Sequence, residues 1–308
     1  MANSSLVISN VSVKRFADTV ILSEIFAGVC FCINLLLIIT FFQKDTFYTN
    51  MRYILFANTL LSDCVNLIMT NLALMLAFFR VTIQVRSCLI IVIFSSVYNF
   101  VTPVTLTAMA LERYVAICMP LRHAELCTLL RALQSVLIVH CISCVPCLVT
   151  LTIYFISASF SYLKENALCS VEVFIFYKWQ GHLRSALSQF YFLVMSIIIT
   201  FSYIQIMKVA KVASGENKES TQKGLRTVLL HGLQLLLCLI QLWSPLIESA
   251  ALLIDYEFFV TIRFLDYIFF NLAPRCLCPL IYGLRDKNFN LALKQLLFCY
   301  QFKDKVIC

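Results

Sequence analysis

The sequence predicts an all-α membrane protein: one bundle of seven transmembrane helices followed by a short amphipathic eighth helix. Three observations predict it. Of 308 residues, 61% are hydrophobic and only 13% charged, with a mean hydropathy of +0.89, whereas a soluble domain carries roughly a quarter charged residues. The apolar residues fall in separate blocks, each long enough at about 1.5 Å per residue to cross about 30 Å of hydrocarbon. Basic residues gather in alternate connections between the blocks, as they do on the cytoplasmic side of a polytopic protein. The formal charge of +8 is therefore read as membrane orientation, not as affinity for nucleic acid. A barrel is excluded, because its strands would alternate over about ten residues.

Residues 1–19 form a polar extracellular tail with sequons at Asn3 and Asn10, the glycosylation acceptors of a luminal segment. Seven spans follow, at about 20–42, 53–79, 87–118, 129–156, 186–212, 225–254 and 259–283. With the N-terminus outside, an odd number of crossings puts the C-terminus in the cytoplasm. Inner connections then hold Lys44, Arg52, Arg122, Arg131, Lys208, Lys211, Lys218, Lys223 and Arg226. Lys14 and Arg15 oppose that bias. Residues 20–283 thus make a seven-transmembrane domain, and 284–308 a cytoplasmic helix and tail. In the tail, Phe289, Leu293, Leu296, Leu297 and Tyr300 recur at helical spacing against Lys287, Asn290, Lys294 and Gln295, the pattern of a helix lying on a leaflet. Residues 215–224 (GENKESTQKG) are the one flexible linker. Cys299 is either an acylation site or a plain thiol.

Most of the fifteen cysteines lie inside apolar runs and act as small hydrophobes. Cys88, heading the third span, and Cys169, after the fourth, escape those runs on the oxidising side. As the outer pair, they are expected to be joined. From Cys88 to Arg113 a straight helix covers roughly 38 Å, so the third span reaches both faces of the membrane.

At the end of that span, residues 111–123 read LERYVAICMPLRH. This resembles the Asp-Arg-Tyr end of the third helix in rhodopsin-like G-protein-coupled receptors, in the extended form of the odorant receptors. Asn34, Leu61-Ser62-Asp63, Ser202-Tyr203, the KGLRTVLLH run from Lys223 to His231 and the PLIYGLR run from Pro279 to Arg285 resemble further motifs of that family, in order along the chain. The wording is most similar to fish odorant receptors. The sequence departs from the family at Glu112 (usually Asp), at Cys278 (usually Asn) and in lacking a tryptophan in the fourth span.

The resemblance implies an odorant receptor that binds a small-molecule odorant in the outer half of the bundle. It would then activate a heterotrimeric G protein of the cAMP-raising olfactory type from the plasma membrane. Alternatives are a rhodopsin-like receptor for another ligand and a small transporter; inverted repeats, which a transporter would call for, are absent from the sequence. Ligand-binding positions implied are Ser95, Ser96, Asn99 and Phe100 on the third helix, Leu187 and Tyr191 on the fifth, Trp243 and Glu248 on the sixth, and Tyr267 and Asn271 on the seventh. Arg184 and Asp266 would add charge for a charged ligand. Coupling and activation fall to Glu112, Arg113, Tyr114, Tyr203, His231, Pro279 and Tyr282. Glu112 and Arg113 are expected to pair as a latch; the plainer reading makes them anchors snorkelling to water.

Asn34, Asp63 and Arg275 form the expected buried polar core. Asp63 and Arg275 are charges deep in apolar spans, where an unpaired charge costs a few kcal/mol. The Asp63 position often binds sodium in the family; here Arg275 is a rival partner that would salt-bridge it. No nucleophile–histidine–acid set, phosphate loop or zinc box appears, so neither enzyme activity, a cofactor nor a metal is expected. His231 has no second ligand at i+4 and is read as a packing residue.

Overall fold

The computed structural model describes the backbone of residues 2–214, 236 and 239–298, with side chains described for most residues from Val20 onward. The first helix, α1 (Ala2–Phe41), runs through the segment expected to be a polar tail and continues as the first span. A one-turn helix α2 (Asp45–Tyr48) leads to α3 (Met51–Phe78), whose start is capped by the Asn50 side chain accepting from the Arg52 N–H. α3 ends with Arg80 at φ 51° and the Val81 N–H donating to the Leu76 carbonyl at 2.9 Å. That is the left-handed close a glycine usually makes; an arginine is strained there.

A short strand β1 (Thr82–Gln84) precedes α4 (Val85–Cys118), α5 (Pro120–Leu126) and α6 (Leu129–Ser157). Proline at its first position starts α5, because the missing N–H has no helical partner there anyway. Strand β2 (Asn166–Leu168) pairs antiparallel with β1, with Ile83 opposite Ala167. α7 (Lys178–Ser214) follows, then α8 (Ser244–Ile254) and α9 (Tyr256–Asp266). A π-helical stretch, Tyr267–Leu272, joins α9 to α10 (Ala273–Arg285), and α11 (Lys287–Phe298) closes the described chain.

Six helices among the described residues are long and apolar enough to cross a membrane: Val20–Phe41, Met51–Phe78, Val85–Cys118, Leu129–Ser157, Lys178–Val209 and Phe258–Ile281. The expected span 225–254 begins outside the described residues, and α8 is its far end. The linker 215–224, His231 and Cys299 also lie outside them, as do the side chains of Asn3, Asn10, Cys278 and Tyr282.

Packing is that of a bundle in lipid. Large apolar side chains such as Leu22, Leu137, Phe190 and Leu253 point outward, where acyl chains rather than water receive them. Buried positions include Asn34, Ser62, Asp63, Asn66, Thr102, Thr105, Ser202 and Arg275. Helix association in hydrocarbon depends on close packing and interhelical hydrogen bonds, so polar groups belong inside. α4 is central, packing on α3, α6 and α7.

Candidate functional site

Two charges organise the bundle interior. Arg275 is 1% exposed and Asp63 0%, and Nη1 of the arginine lies 2.7 Å from Asp63 Oδ1. Thr102 Oγ1 donates to the same carboxylate oxygen at 2.7 Å. The rest of the guanidinium is also satisfied. Nε donates to Asn271 Oδ1 at 2.9 Å and Nη2 to Asn99 Oδ1 at 3.1 Å. With the Asn66 amide oxygen turned inward, it accepts from Nε at 3.1 Å and Nη2 at 2.9 Å, while its nitrogen donates to the Ser95 carbonyl at 3.2 Å. The π-helical stretch ends just before Ala273 and widens the helix there, a distortion common at functional sites. Asn271, inside that stretch, and Arg275, four residues on, meet side by side at the pair.

Five prolines lie within or at the start of the spanning helices (Pro103, Pro146, Pro245, Pro274 and Pro279), and three leave a carbonyl that another segment takes up. A helical proline has no N–H for the carbonyl four residues back. Pro103 thereby frees the Asn99 carbonyl, to which Gln241 Nε2 donates at 2.8 Å. Pro146 frees the Ile142 carbonyl, and the Tyr191 hydroxyl donates to it at 2.6 Å. Pro279 frees the Arg275 carbonyl, and Asn34 Nδ2 donates to it at 3.3 Å. α4 is thus stitched to the residues before α8, α6 to α7, and α10 to α1. Before Pro245 the chain tightens into a 3-10 turn over Gln241–Trp243; there Gln189 Nε2 of α7 donates to the Leu242 carbonyl at 3.2 Å.

These bonds reassign several expected ligand contacts. Asn99 and Asn271 turn their side-chain oxygens to Arg275, because a buried guanidinium draws every acceptor in reach. Tyr191 turns its hydroxyl to α6, its ring standing edge-on to Phe100 at 5.1 Å. Tyr267 packs with Ala27, Cys30, Leu67, Leu272 and Cys276. Trp243 stands edge-on to Phe192 at 5.6 Å. Ser95, Ser96 and Leu187 are half-buried, and Phe100 is buried. Gln241, 3% exposed, was missed by sequence reasoning; its signal was one amide in the apolar run Cys238–Trp243.

At one end of the bundle, Cys88 and Cys169 form a disulfide, and β1–β2 holds the same loop beside the head of α4. Glu172 of that loop accepts from Arg263 Nη1 at 2.8 Å. Arg263 Nε lies 4.0 Å from Glu248, so Arg263 rather than Arg184 is the cation between these acids. Burial would raise the Glu172 carboxyl, but Arg263, its own backbone N–H and Ser170 outweigh that and hold it below the ordinary glutamate range. A cleft of about 430 Å³ opens between α8 and α9, lined by Ile247, Ile262, Leu265, Asp266, Phe269 and Phe270. None of the ten expected ligand-binding residues lines it.

At the opposite end, Glu112, expected to latch to Arg113, faces α5. Glu112 Oε1 faces His123 Nε2 of α5 at 3.6 Å, and its Oε2 is buried with no hydrogen-bond partner. Adjacent helical residues point about 100° apart, so Glu112 turns in beneath α5 while Arg113 is half-buried beside it. Tyr114 stacks obliquely on Phe201 at 5.8 Å, and Tyr203 packs on the main core. Pro279 is buried in α10. Asp286 caps α11, accepting from the Asn288 and Phe289 N–H groups, and takes the Tyr53 hydroxyl at 3.0 Å.

A helical bundle with a polar core on its second, third and seventh spans, and a disulfide tying the third to the following loop, defines a seven-transmembrane receptor. The chain belongs to the rhodopsin family of seven-transmembrane receptors, whose family pattern matches residues 33–282, and within it to the odorant receptors. It is 40% identical to zebrafish odorant receptor 131-2 over 303 residues, covering 97% of this chain and 91% of that one. Human olfactory receptor 51T1 is 28% identical over 70% of this chain and 66% of its own length. Zebrafish galanin receptor 2a is 25% identical over 66% of this chain and 56% of its own.

Proposed function

We propose that this receptor binds a small-molecule odorant above the Asp63–Arg275 network and activates a heterotrimeric G protein that raises cAMP. The observation carrying this reading is the 40% identity to an odorant receptor across nearly the whole chain. In the orientation proposed, the disulfide end faces the extracellular side, where oxidation persists, and α5 and α11 face the cytoplasm.

An odorant acts by binding one arrangement of the helices more tightly than another. Ser95, Ser96, Phe100, Leu187, Trp243 and Glu248 remain the proposed contacts, with Asn99, Asn271 and Tyr191 as the floor and wall behind them. The movable part is the segment before α8. It is held to α4 by Gln241 and to α7 by Gln189, two neutral hydrogen bonds that a ligand-driven shift can exchange at small cost. Arg113, Tyr114, Tyr203, His231, Pro279 and Tyr282 are the proposed route to the G protein.

The test is cAMP measured in cells expressing the full chain across an odorant panel, with surface level monitored. A response to at least one odorant that disappears in Arg113→Ala at unchanged surface level is expected. Full signalling by Arg113→Ala, or no response from a surface-expressed receptor, overturns the reading.

A further inference from the structure

Glu112, His123 and Cys127 come together at the end of the bundle opposite the disulfide. They belong to two segments: Glu112 to the last turns of α4, His123 and Cys127 to α5 and the residue after it. Met119 and Pro120 turn the chain between them, so that α5 folds back beside α4. His123 and Cys127 are four apart, and the Cys127 N–H donates to the His123 carbonyl at 2.9 Å, which puts both side chains on the face toward Glu112. A carboxylate oxygen, an imidazole nitrogen and the thiol sulfur all lie within 4.8 Å of one another.

The cluster is short of positive charge. Glu112 is 6% exposed and, among the described residues, its Oε2 has no hydrogen-bond partner and its Oε1 only His123 Nε2 at 3.6 Å, beyond hydrogen-bond length. A carboxylate buried with an empty oxygen is costly unless a cation meets it. A metal ion held between the three side chains would meet that carboxylate, and a bound metal deprotonates a coordinating thiol.

We propose that Glu112, His123 and Cys127 bind a single Zn²⁺ ion, with water in the fourth position. The donor set decides the ion. Thiolate and imidazole select a borderline-soft metal over Mg²⁺ or Ca²⁺, which take oxygen. Zinc bonds of about 2.0–2.3 Å in tetrahedral geometry set ligand atoms roughly 3.3–3.7 Å apart, within reach of small side-chain adjustments here. His123 is 39% exposed, which leaves the ion a way in. Bound metal clips the end of α4 to the α5–α6 junction. Under the proposed function that junction faces the G protein, so zinc holds the coupling surface in one arrangement.

The test uses the full-length receptor purified in lipid nanodiscs without odorant or G protein, so its outcome is independent of the receptor reading. Cobalt(II) serves as the optical probe and Zn²⁺ as competitor. The expected result is one equivalent bound with a sulfur-to-cobalt charge-transfer band that zinc displaces. Cys127→Ser abolishes the band, and His123→Ala weakens binding at least about tenfold, the loss typical when a metal site loses support. A variant with Cys141, Cys144 and Cys147 all changed to serine keeps the band. A band that survives Cys127→Ser, or that vanishes in the triple variant, overturns the proposal, as does unchanged affinity in His123→Ala. Retention of the Cys88–Cys169 disulfide and monodisperse elution show that each variant is folded.

Discussion

Asp63→Asn removes the one counter-charge of a guanidinium that is 1% exposed. Breaking one partner of a buried pair costs about 3–5 kcal/mol, so this variant and Arg275→Asp should each fail to reach the cell surface. The exchange Asp63→Arg with Arg275→Asp should restore part of it. The same geometry predicts indifference to sodium. Arg275 Nη1 and Thr102 fill Asp63 Oδ1, and although Asp63 Oδ2 has no hydrogen-bond partner among the described residues, a monovalent cation there would sit against the fixed charge of Arg275. Replacing sodium by an organic cation should leave odorant EC50 changed by less than the roughly fivefold that marks allosteric coupling; a larger shift would count against the pair. That Asp63 needed a cation was legible in the sequence, because it stood alone in its apolar span, and Arg275 was one of the two partners that reading offered, sodium being the other. What Asn99 and Asn271 do was not legible. Helical spacing gives a face, but which acceptors a guanidinium captures depends on three helices at once. The Glu112 cluster was hidden for a related reason, since α5 doubling back brings His123 to a carboxylate eleven residues earlier.

Among the elements, the prolines bear the clearest prediction. Gln241→Met leaves the Asn99 carbonyl without a donor, because Pro103 cannot supply one. Interhelical hydrogen bonds in membranes are worth about 0.6 kcal/mol on average and up to about 1.7, so a thermal shift assay should show a modest loss of stability. In a Pro103→Ala background the helix supplies its own N–H, and Gln241→Met should cost less. Equal costs in both backgrounds would separate Gln241 from Pro103. The prolines were visible in the sequence; their acceptors' partners lay on other helices and were not. The loop over the disulfide end titrates. Glu172 is held below the ordinary glutamate range, so its tie to Arg263 contributes stability that is complete above the unfolded value. That contribution is lost as pH falls through the lower folded value. Hydrogen-exchange protection in residues 166–176, taken relative to the intrinsic rate at each pH, should be flat from neutral pH to about 5 and fall below roughly 4.5, and Glu172→Gln should remove that fall.

At the scale of the whole molecule, α4 runs from the disulfide to Glu112, so one helix meets both faces of the bilayer. The spans were legible because hydropathy records how much hydrocarbon each segment must match, and six of the seven expected spans are described helices. Polar composition at residues 1–19 marks contact with water but not backbone conformation, and α1 carries helix from Ala2 through that segment. The disulfide supplies the orientation test. Cutting it should cost about 4.5 kcal/mol by loop-closure entropy, given the 81-residue separation of its cysteines. An impermeant reductant applied to intact cells should therefore reach the bond and lower the receptor's thermal midpoint, and the Cys88→Ser/Cys169→Ser variant should not respond. Labelling a cysteine placed at Arg122 should require permeabilised cells. If that cysteine and the disulfide were reached from the same side, α4 would not cross the bilayer. An odorant could then not signal along it, because the length of α4 is what joins a ligand on one face to a G protein on the other.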